Sequence, residues 1–160
     1  MRIAILTVSD AGSRGERVDT SGDAIASWAE SRGYDLAARA LVPDEPDRIA
    51  AALTDWADSG AADLIITTGG TGVAPRDVTP EATRSVIERE VPGLPEAMRM
   101  MAIAAVPRAM LSRGVAGVRG RTLIVNLPGS NGGVRDGLSV LERIAEHAVA
   151  LIRGEPVDHC

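Results

Sequence analysis

The sequence predicts an α/β fold in which a mainly parallel sheet is covered by helices on both faces. Short, continuous apolar runs alternate along the chain with segments whose apolar residues recur at helical spacing, a pattern typical of parallel strands joined by helices. The 160 residues are 45% apolar and 24% charged, a balance that suits a compact globular protein. We therefore expect one domain over residues 1–153 and a C-terminal tail at 154–160.

The first half of the chain predicts three strands and two helices. Continuous apolar runs indicate the strands, at 3–8, 36–42 and 63–68. Thr20 is typical of a helix N-cap, and Gly33 can end the helix that follows it. Pro46 suits the first turn of a second helix, whose apolar residues recur three and four positions apart.

The second half predicts three helices and a pair of strands. The helices are expected at 79–90, 95–105 and 134–152, and the strands at 114–118 and 122–126. Pro107 is expected to end the middle helix. The two strands lie close enough in sequence to pair as a hairpin.

Polar or glycine-rich segments follow four of the predicted strands directly. They begin at Ser9, Pro43, Gly69 and Leu127. The carboxyl ends of parallel strands share one edge of the sheet, and ligands of open α/β folds bind at that edge. We therefore expect these four loops to converge on one site.

The segment 69–72, Gly-Gly-Thr-Gly, has two interpretations, a phosphate-binding loop or a tight turn after a strand. Exposed amides in such a turn can cradle a phosphate without help from side chains. A tight turn after a strand explains the glycines equally well. Neither the lysine-containing phosphate loop nor the G-x-G-x-x-G fingerprint is present.

Asp44, Arg76 and Asp77 are candidates for chemistry on a nucleotide. An arginine can stabilise a triphosphate, and a carboxylate can hold Mg²⁺ between phosphates. The alternatives are that both aspartates flank helix N-termini and that Arg76 is a solvated charge or a partner of Asp77. Because both aspartates follow predicted strands, they should face the same site, where they suit metal-assisted attack on a phosphate.

The composition excludes several classes of function. The net charge is −5 and aromatic residues make up 2%, which disfavours binding to nucleic acid. All 17 cationic side chains are arginine, so no mechanism that needs a lysine is available. The one cysteine, Cys160, fits a reducing, cytoplasmic location, and the apolar runs are too short to predict a membrane span.

Four methionines cluster in one apolar stretch of the sequence. They are Met98, Met100, Met101 and Met110. Packing in the core is the first expectation, and a contact between subunits is the second.

Six motifs, in order along the chain, resemble those of the MogA/MoaB family of molybdenum cofactor biosynthesis and the similar G domain of gephyrin. The motifs lie at 7–10, 42–45, 67–72, 75–83, 110–113 and 126–130. The resemblance covers residues 2–153, nearly the whole chain. It implies a three-layer α/β/α fold, a homotrimer, and the Mg²⁺-dependent transfer of AMP from ATP to molybdopterin, with release of pyrophosphate.

The resemblance also implies roles for individual residues. Asp44 and Asp77 would be the catalytic carboxylates and would position Mg²⁺. Other residues would hold phosphates or line the substrate pocket: Ser9, Asp10, Gly69, Gly70, Thr71, Gly72, Ser112, Asn126, Pro128, Gly129 and Ser130. From its charge, we expect Arg76 to take up part of the remaining phosphate charge.

One departure from the family pattern concerns the turn at 128–130. Many members carry a lysine directly after it, where this chain has Asn131, and Arg135 is near enough in sequence to take its place. A carrier or scaffold that binds molybdopterin without adenylyl transfer is the alternative function. A protein that inserts molybdate downstream is an expected partner.

Overall fold

Seven helices cover a six-stranded sheet in the computed structural model, which describes residues 1–157. The strands are Arg2–Val8 (β1), Asp35–Val42 (β2), Leu64–Thr68 (β3), Arg89–Glu90 (β4), Ala116–Arg119 (β5) and Thr122–Leu127 (β6). The helices are Asp10–Ser13 (α1), Thr20–Ser31 (α2), Pro46–Asp58 (α3), Thr79–Val86 (α4), Gly93–Ile103 (α5), Asn131–Leu141 (α6) and Ala145–Arg153 (α7). A 3₁₀ turn spans Pro107–Leu111.

The sheet is mainly parallel, as predicted. Its strand order is β2-β1-β3-β6-β5-β4, and the first four strands run parallel to one another. The antiparallel pairs β6–β5 and β5–β4 complete one edge, and β5 and β6 form the predicted hairpin. The chain leaves β1 towards β2 and later leaves β3 towards β6, so the connections diverge between β1 and β3. Ligand crevices of open α/β sheets form at such a point.

Alternating residues of the central strands build two separate cores. Ile3 and Ile5 of β1 face the layer that contains α2, α5, α6 and α7, whereas Ala4 and Leu6 face α3 and α4. All four side chains are fully buried. Because these strands are covered on both faces, their sequences are apolar without alternation, which explains the continuous runs. The predicted three-layer α/β/α arrangement is therefore confirmed.

The helix expected at 79–90 is shorter than predicted. Helix α4 ends at Val86, and Ile87 takes an extended conformation with a ψ of 146°. The backbone N–H of Glu88 then donates to the carbonyl of Val118 at 2.8 Å, and residues 89–90 pair with β5 as an edge strand. Helical propensity in this segment is overridden by sheet pairing.

The helix expected at 134–152 is two helices. Helix α6 ends at Leu141 and α7 begins at Ala145, with Ile144 between them at a φ of −138°. Apolar residues on both sides of the break pack against the same core, so the helical spacing continues across it. Helix α7 ends at Arg153, before the tail predicted at 154–160. Residues 158–160 of that tail lie outside the described part of the chain.

The N-terminal ends of two helices also differ from prediction. Asp19, not Thr20, caps α2, because its side chain accepts the N–H of Gly22 at 2.9 Å. The predicted loop after β1 contains the short helix α1, which Ser9 caps. In the later part of the chain, Pro107 begins the 3₁₀ turn as well as following the end of α5.

The methionine cluster is divided between core and surface. Met98 packs in the core, but Met100, Met101 and Met110 are 74%, 50% and 61% exposed. Core packing is therefore wrong for three of the four residues.

Asp63 joins the start of β3 to two other parts of the chain. Its buried carboxylate accepts the backbone N–H and a guanidinium N–H of Arg2, both at 2.7 Å, and also pairs with Arg153.

Across residues 1–157, every helix is too short or too polar to cross a bilayer.

Candidate active site

The turn after β3 requires glycine at two positions. Gly69 has a φ of +99°, and a Cβ there would lie 2.2 Å from the carbonyl oxygen of Val8. Gly70 has a φ of +65°, and its Cβ would lie 2.4 Å from Thr79 Oγ1 and 3.0 Å from Asp44 Oδ1. The missing side chains therefore let the turn run between the ends of β1 and β3, against Asp44.

Backbone bonds and one hydroxyl hold this turn in place. Gly69 N donates to the carbonyl of Leu127 at 3.1 Å, which ties the turn to the end of β6. Thr79, which is fully buried, donates its N–H to Gly70 O at 3.1 Å and its hydroxyl to Gly69 O at 2.9 Å. The start of α4 and the turn therefore form one rigid unit.

Two cavities open at the carboxyl edge of the sheet. The smaller, of about 430 Å³, is lined mainly by polar residues from β1, the start of α2 and the turn. The larger, of about 790 Å³, is lined by apolar residues of α5 and the 3₁₀ turn together with arginines. Four residues line both cavities: Gly70, Asp77, Gly129 and Ser130.

Asp44 and Asp10 hold each other through reciprocal hydrogen bonds. The backbone N–H of Asp10 donates to Asp44 Oδ2 at 2.8 Å, and the backbone N–H of Asp44 donates to Asp10 Oδ1 at 3.0 Å. Burial raises the pKa of Asp44, and the charges of Asp10 and Asp77 add to that increase. Asp44 lines the smaller cavity, whereas Asp10 lies beside it and lines neither cavity.

Arg76 is paired with Asp10 rather than with Asp77. Its Nε and Nη2 donate to the two carboxylate oxygens of Asp10 at 2.9 and 2.8 Å. Hydrogen bonds from Arg76 and then from the backbone of Asp44 hold the pKa of Asp10 below its usual range. The alternative that Arg76 is a local partner of Asp77 is therefore wrong, and the pair neutralises the carboxylate nearest to Asp44.

Asp77 ends the loop that begins at the glycine turn. Its Oδ2 accepts the N–H of Ala74 at 2.9 Å, and its own N–H donates to the carbonyl of Ala74 at 2.9 Å. Within residues 1–157, neither Asp77 Oδ1 nor Asp44 Oδ1 accepts a hydrogen bond. Each carboxylate is thus oriented by one backbone N–H and keeps one oxygen available to a ligand.

Ser9 and Ser130 are engaged as helix caps. Ser9 Oγ accepts the N–H of Gly12 at 3.0 Å, and Ser130 Oγ accepts the N–H of Gly133 at 3.2 Å. Both serines line the smaller cavity, and Ser130 also lines the larger one. They bring the starts of α1 and α6 to the site.

Asn126 is buried and its side chain is fully bonded to protein. Its Nδ2 donates to Thr67 Oγ1 and Thr83 Oγ1, both at 2.9 Å, and its Oδ1 accepts the N–H of Val115 at 3.1 Å. Pro128 accepts the hydroxyl of Thr68 through its carbonyl at 2.8 Å. These two predicted pocket residues line the larger cavity while holding strands together.

The other predicted pocket residues lie together. Thr71, Gly72 and Ser112 line the larger cavity, and Gly129 approaches the turn so closely that a Cβ would lie 3.2 Å from Gly69 Cα. Arg135 also lines the larger cavity, with its Nη2 4.0 Å from the Cβ position of Gly132.

Sequence reasoning missed several residues of the site. Asp19 lines the smaller cavity, and its carboxylate accepts hydrogen bonds from Thr7 and Arg39. Burial alone would raise the pKa of Asp19. The hydrogen bonds from Arg39, the Gly22 N–H and Thr7 outweigh burial and lower that pKa. Arg17 lines the smaller cavity, and Arg99 and Arg108 line the larger one. Asp19 lies in a polar segment between predicted elements, so only its position before a helix could have singled it out.

The sequence matches the family described as a probable molybdopterin binding domain over residues 4–147. The molybdopterin adenylyltransferase of Helicobacter pylori strain J99 is 40% identical over 161 residues, covering 96% of this chain and 89% of that protein. The molybdenum cofactor synthesis protein cinnamon of Drosophila melanogaster is 42% identical over 149 residues, covering 92% of this chain and 25% of that protein. The chain thus spans about a quarter of cinnamon.

Solved structures of the same kind superpose closely. The molybdopterin biosynthesis enzyme MoaB of Thermus thermophilus is 54% identical, with a TM-score of 0.91, covering 98% of this chain and 99% of that one. The molybdopterin biosynthesis Mog protein of Mycobacterium ulcerans is 45% identical, with a TM-score of 0.90, covering 94% of this chain and 98% of that one.

Proposed function

This chain belongs to the family of probable molybdopterin binding domains, and from that premise we propose that it adenylylates molybdopterin with ATP. The observation that supports the proposal is that two cavities lie side by side and share lining residues, which form a wall between them. A transfer between two substrates needs two binding spaces that meet where the reacting atoms lie. Gly70, Asp77, Gly129 and Ser130 line both spaces.

In the proposed reaction, the terminal phosphate of molybdopterin attacks the α-phosphorus of ATP. A new P–O bond forms, the bond between the α-phosphorus and the oxygen leading to the β-phosphorus breaks, and pyrophosphate leaves. Such a transfer depends on positioning and on charge stabilisation rather than on a protein nucleophile. The rigid turn and the oriented carboxylates support this role.

Backbone groups supply positive potential at the smaller cavity. The first residues of α2 and α6 line it, and the hydroxyl of Thr20 bonds to Asn131 Oδ1 at 3.1 Å, which joins these two helix starts. Helix N-termini carry partial positive charge and exposed N–H groups that favour phosphate. The carboxylate of Asp19 already occupies the start of α2, so we infer that phosphate oxygens lie against the start of α6 and the turn at 69–72.

The donors present fit Mg²⁺. Mg²⁺ is usually held by one or two carboxylates together with substrate phosphates, rather than by a cage of protein ligands. Residues 1–157 contain no cluster of three acidic, histidine or cysteine side chains suited to a metal, but Asp44 and Asp77 each keep a carboxylate oxygen available. These two residues would hold the ion, which would neutralise charge on the phosphates.

The test is to replace Asp44 and Asp77 by asparagine, each alone. Asparagine keeps an acceptor for the bond from Asp10 N or Ala74 N, so the local structure should survive. We expect adenylylated molybdopterin, measured by chromatography after mixing with ATP and Mg²⁺, to form at least about a hundredfold more slowly, while molybdopterin still binds.

Asp58→Asn is the matched control, because Asp58 pairs with Arg119 away from both cavities. It should leave the rate unchanged. Binding of molybdopterin by the wild-type protein with no product under any Mg²⁺ concentration would refute the proposal and favour a carrier or scaffold.

The assembly and setting form part of the same proposal. We propose a homotrimer in the cytoplasm that passes its product to a molybdate-insertion protein. Met100 and Met101 of α5 and Met110 of the adjacent 3₁₀ turn are exposed, and exposed large apolar side chains on neighbouring elements support a contact between subunits. Light scattering should give the mass of three chains; a monomer at working concentration would contradict the trimer.

A further inference from the structure

We propose that Arg113 is the positioning residue that fixes the loop 70–77 and thereby places Asp77 in the wall between the two cavities. This inference rests on the proposed adenylyl transfer for its effect on rate. Arg113 itself lines neither cavity. Its action would therefore pass through Asp77, without contact with a substrate.

Arg113 bonds to both ends of the loop. Its Nε donates to the carbonyl of Gly72 at 2.7 Å, and its Nη2 donates to the carbonyl of Asp77 at 2.7 Å. Its backbone N–H donates to the carbonyl of Thr71, also at 2.7 Å. A single residue thus holds three carbonyls that bracket the loop.

The same guanidinium is anchored to α4. Its Nη1 pairs with the carboxylate of Glu81, and hydrogen bonding from Arg113 is the main cause that lowers the pKa of Glu81. Helix α4 begins at Thr79, whose hydroxyl holds the glycine turn. Two carbonyls and a carboxylate in different directions match the planar, five-donor fork of arginine, which the ammonium of lysine cannot reproduce.

Apart from Arg113, the middle of the loop is held to the rest of the protein by the ion pair between Arg76 and Asp10, and the Arg76 side chain is 62% exposed. An ion pair this exposed contributes little to holding the loop in place. Val73 is 64% exposed, and residues 74–76 are exposed as well. Inside the loop, the described bonds are the reciprocal pair between Ala74 and Asp77. These bonds keep the loop's local shape, but they do not fix it to the rest of the protein. Loss of Arg113 would release both ends of the loop and leave the exposed Arg76–Asp10 pair to hold its middle, so the loop would move and its inner bonds would open more often.

The position of Arg113 also links the loop to the larger cavity. Its neighbours Ser112 and Gly114 line that cavity, and Arg99 donates to both of their carbonyls at 3.2 Å. The segment that carries Arg113 is therefore itself held against the cavity wall. A shift of about 1 Å in a reacting group can cost a hundredfold in rate, so a small displacement of Asp77 would be measurable.

The experiment compares Arg113→Met and Arg113→Lys with Arg119→Met. Arg119 is a matched control, because it also joins a carboxylate, that of Asp58, to a backbone carbonyl, that of Val86 at 2.9 Å, but far from the site. We expect Arg113→Met to lower kcat by about a hundredfold with KM for ATP and molybdopterin within threefold. Arg113→Lys should stay at least about tenfold below wild type, and Arg119→Met should stay within twofold.

Hydrogen exchange gives a readout that does not need activity. The hydrogen-bonded amides of Ala74 and Asp77 should exchange faster in both Arg113 variants, while the amides of β1 and β3 stay protected. If Arg113→Met does not fold, the same comparison is made on Arg113→Lys. Unchanged exchange at Ala74 and Asp77, a wild-type kcat in the lysine variant, or an equal loss of kcat in Arg119→Met would overturn the inference. An inactive wild-type protein whose loop still loosens in the variants would refute the adenylyl transfer and leave the positioning role standing.

Discussion

Replacing Asn126 by alanine should cost the protein a large part of its stability. The residue is 3% exposed, and its amide makes three hydrogen bonds to buried groups in β3, in α4 and in the segment just before β5. Asn126 Nδ2 reaches the hydroxyls of Thr67 and Thr83, and Oδ1 accepts the N–H of Val115. Alanine removes all three bonds and has no polar side-chain group to replace them.

The magnitude follows from these three bonds. Each of the two bonds to a threonine hydroxyl contributes about 1 kcal/mol net, and removing the acceptor of the buried Val115 N–H costs roughly 1–3 kcal/mol. We therefore expect a loss of about 3–5 kcal/mol in the free energy of unfolding. For a protein of this size, each kcal/mol lowers Tm by about 3 °C, so the decrease should be on the order of 10 °C.

The assay is urea unfolding at fixed protein concentration, with Thr67→Val and Thr83→Val as controls. Each control removes one hydroxyl and should cost about 1 kcal/mol. The double variant with Asn126→Ala should lose less than the sum of the two single losses, because the same bond is removed twice. A cost below about 1 kcal/mol for Asn126→Ala, with molybdopterin binding lost, would refute this reasoning and make Asn126 a substrate ligand.

Two further predictions concern pH. Tyr34 is the only tyrosine of the sequence. Burial, and then its hydrogen bond to Glu146, raises the pKa of Tyr34 to about 12. The stability that Tyr34 contributes should therefore be complete below about pH 10 and be lost as the pH rises towards 12. Ultraviolet titration should show this midpoint, and Glu146→Gln should lower it. Burial opposes ionisation of Asp63, but its two arginine partners outweigh burial and lower its pKa, so the stability it contributes is present above about pH 4 and lost below. The difference in unfolding free energy between wild type and Asp63→Asn should therefore shrink as the pH falls from neutral; a difference that grows would contradict the assignment.

The central strands were predictable because strands buried on both faces consist mainly of apolar residues. The runs at 3–8 and 63–68 are apolar on both alternating faces, and only a strand between two helical layers needs that pattern. The glycines at 69 and 70 were equally visible, since their φ angles of +99° and +65° belong to conformations that other residues avoid.

The breaks near Ile87 and Ile144 could not be predicted from spacing. At Ile144, apolar residues continue at helical intervals because α6 and α7 pack on the same core. After Ile87, residues 88–90 are charged and exposed, and such residues suit an exposed helix face as well as an edge strand. What ends α4 is the pairing of residues 89–90 with β5, a contact with a strand almost thirty positions later. A pattern of residues within the segment itself cannot predict a contact with a strand so distant in sequence.

The pocket was predicted by position more reliably than by side-chain role. Ser9 and Ser130 do lie at the cavities, but their hydroxyls cap helices. A serine that follows a strand and precedes a helix has the same local pattern in both cases, since a hydroxyl can accept from a helix N–H or bind a ligand. Only the three-dimensional structure distinguishes these roles.

The charges of the site provide a physical reason for the proposed metal requirement. Asp44 and Asp77 line the cavities that would hold phosphates. The arginines beside them are already paired, Arg76 with Asp10 and Arg113 with Glu81. Helix N-termini and the glycine turn offer only partial charges, which are weaker than two carboxylates at short range. Arg17 also lines the smaller cavity, but its single positive charge is less than the combined negative charge of two carboxylates and a polyphosphate. A polyphosphate beside these aspartates would still be repelled unless a further cation lay between them. The carboxylates are therefore consistent with a phosphate site only if they act through Mg²⁺, which is the role that the proposed adenylyl transfer assigns to them.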